Sequence, residues 1–213
     1  MGEYIDAYCE RLEPGLLAEP VNLITNIAFI IAAWLASRQS RDDGTMDASV
    51  ATLCLLLMCI GIGSGLFHSF ADTVSVMMDV IPIVLFQLAF ITFYTRRIMR
   101  LTYIMVTAWI CGFLMLSLLF GRYDDVLNGS LGYAPAIIYL FVLASWHWYD
   151  ERSMRTGLIS AAALFSVSLV FRTMDMSLCQ VIPLGTHFLW HLLNAIVLYL
   201  VIRSYSMNLP GRP

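Results

Sequence analysis

Residues 61–80 read GIGSGLFHSFADTVSVMMDV, an apolar stretch that nevertheless carries Ser64, His68 and Asp79. A tight connection between Phe70 and Thr73 divides it into the end of one helix and the start of the next. The surrounding chain has 213 residues, 60% hydrophobic and 13% charged, with a mean hydropathy of +0.78. Those values lie outside the range of a soluble globular domain. A run of about 20 apolar residues crosses a bilayer core of about 30 Å as a helix. Such runs lie near residues 20–36, 48–70, 74–95, 101–120, 130–148, 156–173 and 183–205. The loops between them are short, so residues 1–213 read as one all-α integral membrane domain, a seven-transmembrane helix bundle. A short acidic segment, residues 1–19, precedes it and lacks the apolar run of a signal peptide.

All twelve basic residues are arginine. Arg38, Arg41, Arg96, Arg97, Arg100, Arg152, Arg155, Arg203 and Arg212 fall in the odd-numbered loops and the tail, against Arg11, Arg122 and Arg172 on the other side. This asymmetry puts the C-terminus in the cytoplasm and the N-terminus outside. Acids gather on the outer face: Glu3, Asp6, Glu10, Glu13, Glu19, Asp72, Asp124, Asp125 and Asp175. No basic patch suits nucleic acid, and no protein partner is evident. Cys54, Cys59 and Cys111 fall mid-membrane as ordinary filling, whereas Cys9 and Cys179 share the outer side, paired or not.

A charge at the bilayer centre costs at least about 2.5–3.5 kcal/mol, so intramembrane polar groups are usually functional or paired. At 1.5 Å per residue, His68 lies roughly 3 Å below the outer end of its helix, and Ser64 and Asp79 roughly 9 Å below theirs. Ser64 and His68, four apart, share a helix face. The last helix adds GTHFLWH, residues 185–191, with His187 and His191 at the i, i+4 spacing that lets two imidazoles hold one metal. Measured from Pro183, their depths are roughly 6 and 12 Å. Three histidines leave a tetrahedral zinc one open position, the catalytic pattern, and zinc makes hydroxide available near neutral pH. Asp79 is placed to take and return a proton, and Ser64 to assist at an oxyanion. For Ser64, close helix packing at GIGSG is an equal alternative.

Other polar residues carry less. His147, in SWHWYD at the inner end of the fifth helix, reads as interfacial. Asn22 and Asn26 read as ties between helices. Arg172 and Asp175 suit a local ion pair better than a guide for a lipid head group. Asn128-Gly129-Ser130 fits a glycosylation sequon.

In three blocks the chain resembles the alkaline ceramidases and their bacterial relatives, within the superfamily that includes the adiponectin receptors. The blocks are YCERLEPGLLAEPVNLITNIAF, GIGSGLFHSFADTVSVMMDVIPI and GTHFLWHLLNA. The resemblance implies that His68, His187 and His191 bind zinc, that Asp79 is the acid/base and that Ser64 assists. It implies hydrolysis of the N-acyl bond of a membrane lipid such as ceramide, releasing a fatty acid and a sphingoid base. It also implies a Cys9–Cys179 disulfide, and residence in a bacterial inner membrane with the site facing the periplasm.

The first block departs from the animal relatives, which bind calcium there. Glu10 and Glu19 match acidic positions, but Ala7 and Leu12 stand where an aspartate and an asparagine are expected. Asp6 and Glu13 are substitutes, so these four acids fit either a Ca2+ site or a solvated acidic entrance. Two other functions remain open. One is a lipid-binding receptor or sensor with structural zinc and no turnover. The other is a transporter or redox protein, although no internal repeat marks a transporter.

Overall fold

The Phe70–Thr73 connection is closed by local chemistry. In a computed structural model describing residues 4–123 and 126–209, Ala71 takes a left-handed conformation, φ 49°. Asp72 then accepts a hydrogen bond from the Ser75 amide at 2.7 Å, while the Ser75 hydroxyl accepts one from the Asp72 amide at 3.0 Å. This reciprocal cap starts the next helix after only two intervening residues, Ala71 and Asp72.

The described helices are α1 (Pro20–Thr25), α2 (Ile27–Asp42), α3 (Ala48–Phe70), α4 (Thr73–Phe93), α5 (Tyr103–Phe120), α6 (Ala134–Tyr149), α7 (Gly157–Leu178) and α8 (His187–Ser206). Asn26 joins α1 to α2, and a π-helical turn at Tyr94–Ile98 extends α4. Seven segments, with α1 and α2 acting as one, are long and apolar enough to cross a membrane. They form an all-helical bundle. Over the most apolar stretch of each span, α3 and α8 are 56% buried and α5 only 11%, which makes the first two central and α5 peripheral. On α3, a Cβ at Gly63 would run into the Met78 carbonyl of α4. The glycine lets the two backbones touch and sets Ser64 beside Asp79, so the motif serves packing and site together.

Several boundaries differ from expectation. The first span runs to Asp42, where Arg38 and Asp42 sit one turn apart on an exposed helical end, 3.8 Å from each other. The sixth continues to Leu178, and the last begins at His187 rather than Pro183. His147 is not interfacial. It is fully buried, accepting from the Tyr94 hydroxyl at 2.7 Å and donating to the Ser153 carbonyl at 3.0 Å, because the following loop folds back over it. Of the charge map, Glu3, Asp124, Asp125 and Arg212 lie outside the described residues.

Cys9 and Cys179 form a disulfide, Cα–Cα 5.3 Å, across 170 residues of sequence. Loop-closure entropy alone would give such a crosslink about 5 kcal/mol. That is an upper bound, because helices that stay inserted leave the unfolded chain less to lose. Changing both cysteines to serine should lower the thermal midpoint in detergent, and a reductant should do the same to the wild type but not to the double variant.

At the opposite face, Asp47 caps α3 and pairs with Arg97 of the π-helical turn. Burial pulls its carboxyl upward. Hydrogen bonds from Ser49, Val50 and Arg97 outweigh that and hold it below the usual carboxylate range. A carboxyl depressed in the folded state contributes stability above its unfolded value, about 3.9, and loses it as pH falls through the folded value. Thermal midpoints should therefore drop on acidification below about pH 4, and Asp47→Asn should flatten that part of the profile.

Candidate metal and catalytic site

The turn before α8 determines where two histidines stand. Gly185 has φ +68°, and a Cβ there would meet the Asp175 carboxylate. Asp175, fully buried on α7, accepts from the amides of Thr186 at 2.6 Å, His187 at 2.9 Å and Cys9 at 3.0 Å. A carboxylate at a helix N-terminus satisfies amides that have no partner within the helix and complements the helix dipole. The cap makes His187 the first residue of α8, so His187 and His191 lie about 0 and 6 Å into the helix, shallower than the sequence estimate.

His68 of α3 meets them. The three imidazoles are buried, at most 2% exposed, and one ring nitrogen from each lies within 4.8 Å of the others. The far side of two rings is fixed. His68 Nδ1 lies 2.6 Å from Glu19 Oε2, and His191 Nδ1 lies 2.9 Å from Thr25 Oγ1. A carboxylate can only accept. The Thr25 hydroxyl has the Val21 and Asn22 carbonyls as acceptors, at 2.8 and 3.0 Å, which leaves its oxygen available to accept from His191 Nδ1. In the neutral tautomer protonated on Nδ1, both histidines turn their Nε2 lone pairs toward each other, 3.1 Å apart. His187 Nδ1 is buried with no hydrogen-bond partner, and the Tyr8 ring stacks on that imidazole at 3.6 Å.

Asp79 faces this cluster from α4, with the Ser64 side chain and His68 both within electrostatic reach. Residues 8–208 match the family model described as Ceramidase. The chain belongs to the ceramidase family. No curated protein matches it. Ceramidase membership implies amide hydrolysis and a lipid substrate. The buried histidine group, which can hold a metal ion, lies within the matched residues.

The four acids considered for calcium do not converge. Glu10 is spent on α1, accepting from the Val21 and Asn22 amides at 2.7 and 2.8 Å. Glu19 is spent on Arg11, Asn22 and His68. Asp6 and Glu13 are exposed. Among the described residues only the three histidines gather within metal-ligand reach of one another. The N-terminal acids therefore do not gather as one ligand cluster, and the two that match acidic positions are each engaged by protein donors.

Arg172 and Asp175 do not pair. Asp175 is taken by its three amides, while Arg172 donates to the Asn128 carbonyl and to Ser130 Oγ. The guanidinium also lies over the rings of Tyr133 at 5.3 Å and Trp190 at 5.8 Å, within electrostatic reach of Asp79. Asn128 of the sequon is engaged too, its amide donating to the Arg172 carbonyl at 3.0 Å. Asn22 and Asn26 bond within their own segment rather than between helices.

Sequence reading missed Thr25, Arg11 and the roles of Glu19 and Asp175. Only one signal was available, an acidic residue near the start of the last helix in the outer slab. Replacing Asp175 with alanine would strand three buried amides, and should cost at least about 2 kcal/mol of stability, read by denaturant unfolding in detergent.

Proposed function

We propose that this chain is a zinc-dependent hydrolase of lipid amides, ceramide-like in substrate, working just below the head groups on the outer side of a bacterial inner membrane. The carrying observation is the 3.1 Å approach of the His68 and His191 Nε2 atoms in a buried site. As neutral lone pairs they repel at that distance unless a proton or a metal ion lies between them. Tetrahedral zinc, about 2.0–2.1 Å from each nitrogen, sets its ligands roughly 3.3 Å apart, close to what this pair presents. The unpartnered Nδ1 of His187 gives a third neutral nitrogen donor. His68, His187 and His191 would hold the ion, and with three ligands a fourth position stays open for chemistry. Zinc held there supplies a polarised carbonyl and hydroxide near neutral pH.

The chain's own groups do the rest. Asp79 takes a proton from the attacking water at one carboxylate oxygen and returns it to the departing amine nitrogen. Ser64 orients that carboxylate and has a hydroxyl to offer a developing oxyanion. Glu19 and Thr25 hold their imidazoles in one tautomer. An apolar cavity lined by Phe29, Tyr133, Phe165, Trp190 and deeper residues begins beside the histidines, with Phe29 6.2 Å from the His191 ring. It suits an acyl chain. A receptor with structural zinc would have no use for an acid/base pair at an open metal position, so turnover is the favoured reading.

Purified wild type should carry about one zinc per chain and split an N-acyl sphingoid lipid into fatty acid and amine. His191→Ala should lose the metal. Asp79→Asn should keep it and lose about 10²–10⁴-fold in turnover. Wild-type protein that lacks zinc, or that returns the lipid unaltered after long incubation, would contradict the proposal.

A further inference from the structure

Arg11 is 2% exposed although nothing in the local sequence marks it as buried. Its Nε donates to Glu19 Oε1 at 2.6 Å, and its Nη2 donates to the His68 backbone carbonyl at 2.8 Å. The other Glu19 oxygen receives His68 Nδ1–H at 2.6 Å and the Asn22 amide at 3.0 Å. These contacts close a ring in which the guanidinium holds His68 at both ends: the imidazole through Glu19, and the main chain directly. The held carbonyl is one of the last four of α3, which have no partner within the helix.

The charges explain why a cation is needed. Glu19 is 1% exposed, and a carboxylate so buried must be paired and hydrogen-bonded to remain ionised. The permanent positive charge beside it is the Arg11 guanidinium, 2.6 Å from its Oε1. An arginine fork matches a carboxylate in shape and cannot lose its proton. Glu10, the second acid that a divalent ion would require here, is committed to the α1 amides.

We propose that Arg11 is a built-in cation standing where a divalent ion would otherwise neutralise Glu19, and that it positions His68 for the histidine-site metal without any need for calcium. Arg11 is a positioning residue, because it reaches the metal only through Glu19 and His68. The inference rests on the histidine metal site proposed above.

Cobalt(II) tests it, since its visible absorption reports ligand geometry and affinity independently of turnover. Detergent-purified protein, stripped of metal, would be titrated with cobalt with and without millimolar calcium, for wild type, Arg11→Gln and Arg11→Lys. Wild type should bind cobalt with the same spectrum and dissociation constant in both conditions. Arg11→Gln should bind about 10–100-fold more weakly, the usual cost of losing an outer partner of a metal ligand. Arg11→Lys, which keeps the charge, should recover part of that loss. If Arg11→Gln fails to fold, the wild-type calcium comparison and the lysine variant still decide. Wild-type affinity that depends on calcium, or an Arg11→Gln affinity equal to wild type, would overturn the role of Arg11 while leaving the histidine site intact. Failure of wild type to bind cobalt at all would overturn the histidine site, and this inference with it.

Discussion

Two imidazole Nε2 atoms facing each other 3.1 Å apart in a buried cluster are the constraint to which the rest of this bundle answers. Each is aimed by a partner on the far side of its ring, Glu19 for His68 and Thr25 for His191. Glu19 stands just before α1 and Thr25 at its last residue, so the start of the first span is part of the site. The third histidine is aimed by backbone chemistry, because Asp175 fixes the first turn of α8. The disulfide then ties the N-terminal segment to the end of α7, next to the same carboxylate.

Buried charge is expensive in a bilayer, and several of this protein's buried charged groups are each held by more than one partner. Asp175 spends both oxygens on three amides. Glu19 spends both on a guanidinium, an imidazole and an amide. Arg172 is held by a loop carbonyl and two aromatic faces. Such groups rigidify their surroundings when fully satisfied, and this rigidity is what a metal site needs to keep nitrogens that repel one another close together. Glycine contributes in the opposite way, by absence: Gly63 removes a side chain so that α4 can bring Asp79 to Ser64.

Much of this was legible in the sequence, and the limits have physical causes. The seven spans follow from length and apolarity, which are local properties. The meeting of His68, His187 and His191 follows from depth counting, because helices of known rise enter from a common side. Pairing across the chain was not legible. Arg11 and the His68 carbonyl are 57 residues apart and Glu19 and His68 are 49 apart, and no periodicity links them. The start of α8 was misplaced because its cap comes from another helix, twelve residues earlier, rather than from Thr186 itself. His147 was misread because SWHWYD has the composition of an interfacial belt, while its burial depends on the loop that follows. Arg172 and Asp175 show the same limit, since sequence proximity suggested a pair where tertiary partners prevailed.

X-ray absorption at the zinc edge, on protein purified in detergent without added metal, probes the shared centre most directly. The expected result is about one zinc per chain with three imidazole nitrogens at about 2.0–2.1 Å and one further light atom. A metal-free protein, or a shell containing sulfur at about 2.3 Å, would contradict the reading of these histidines as an open catalytic centre.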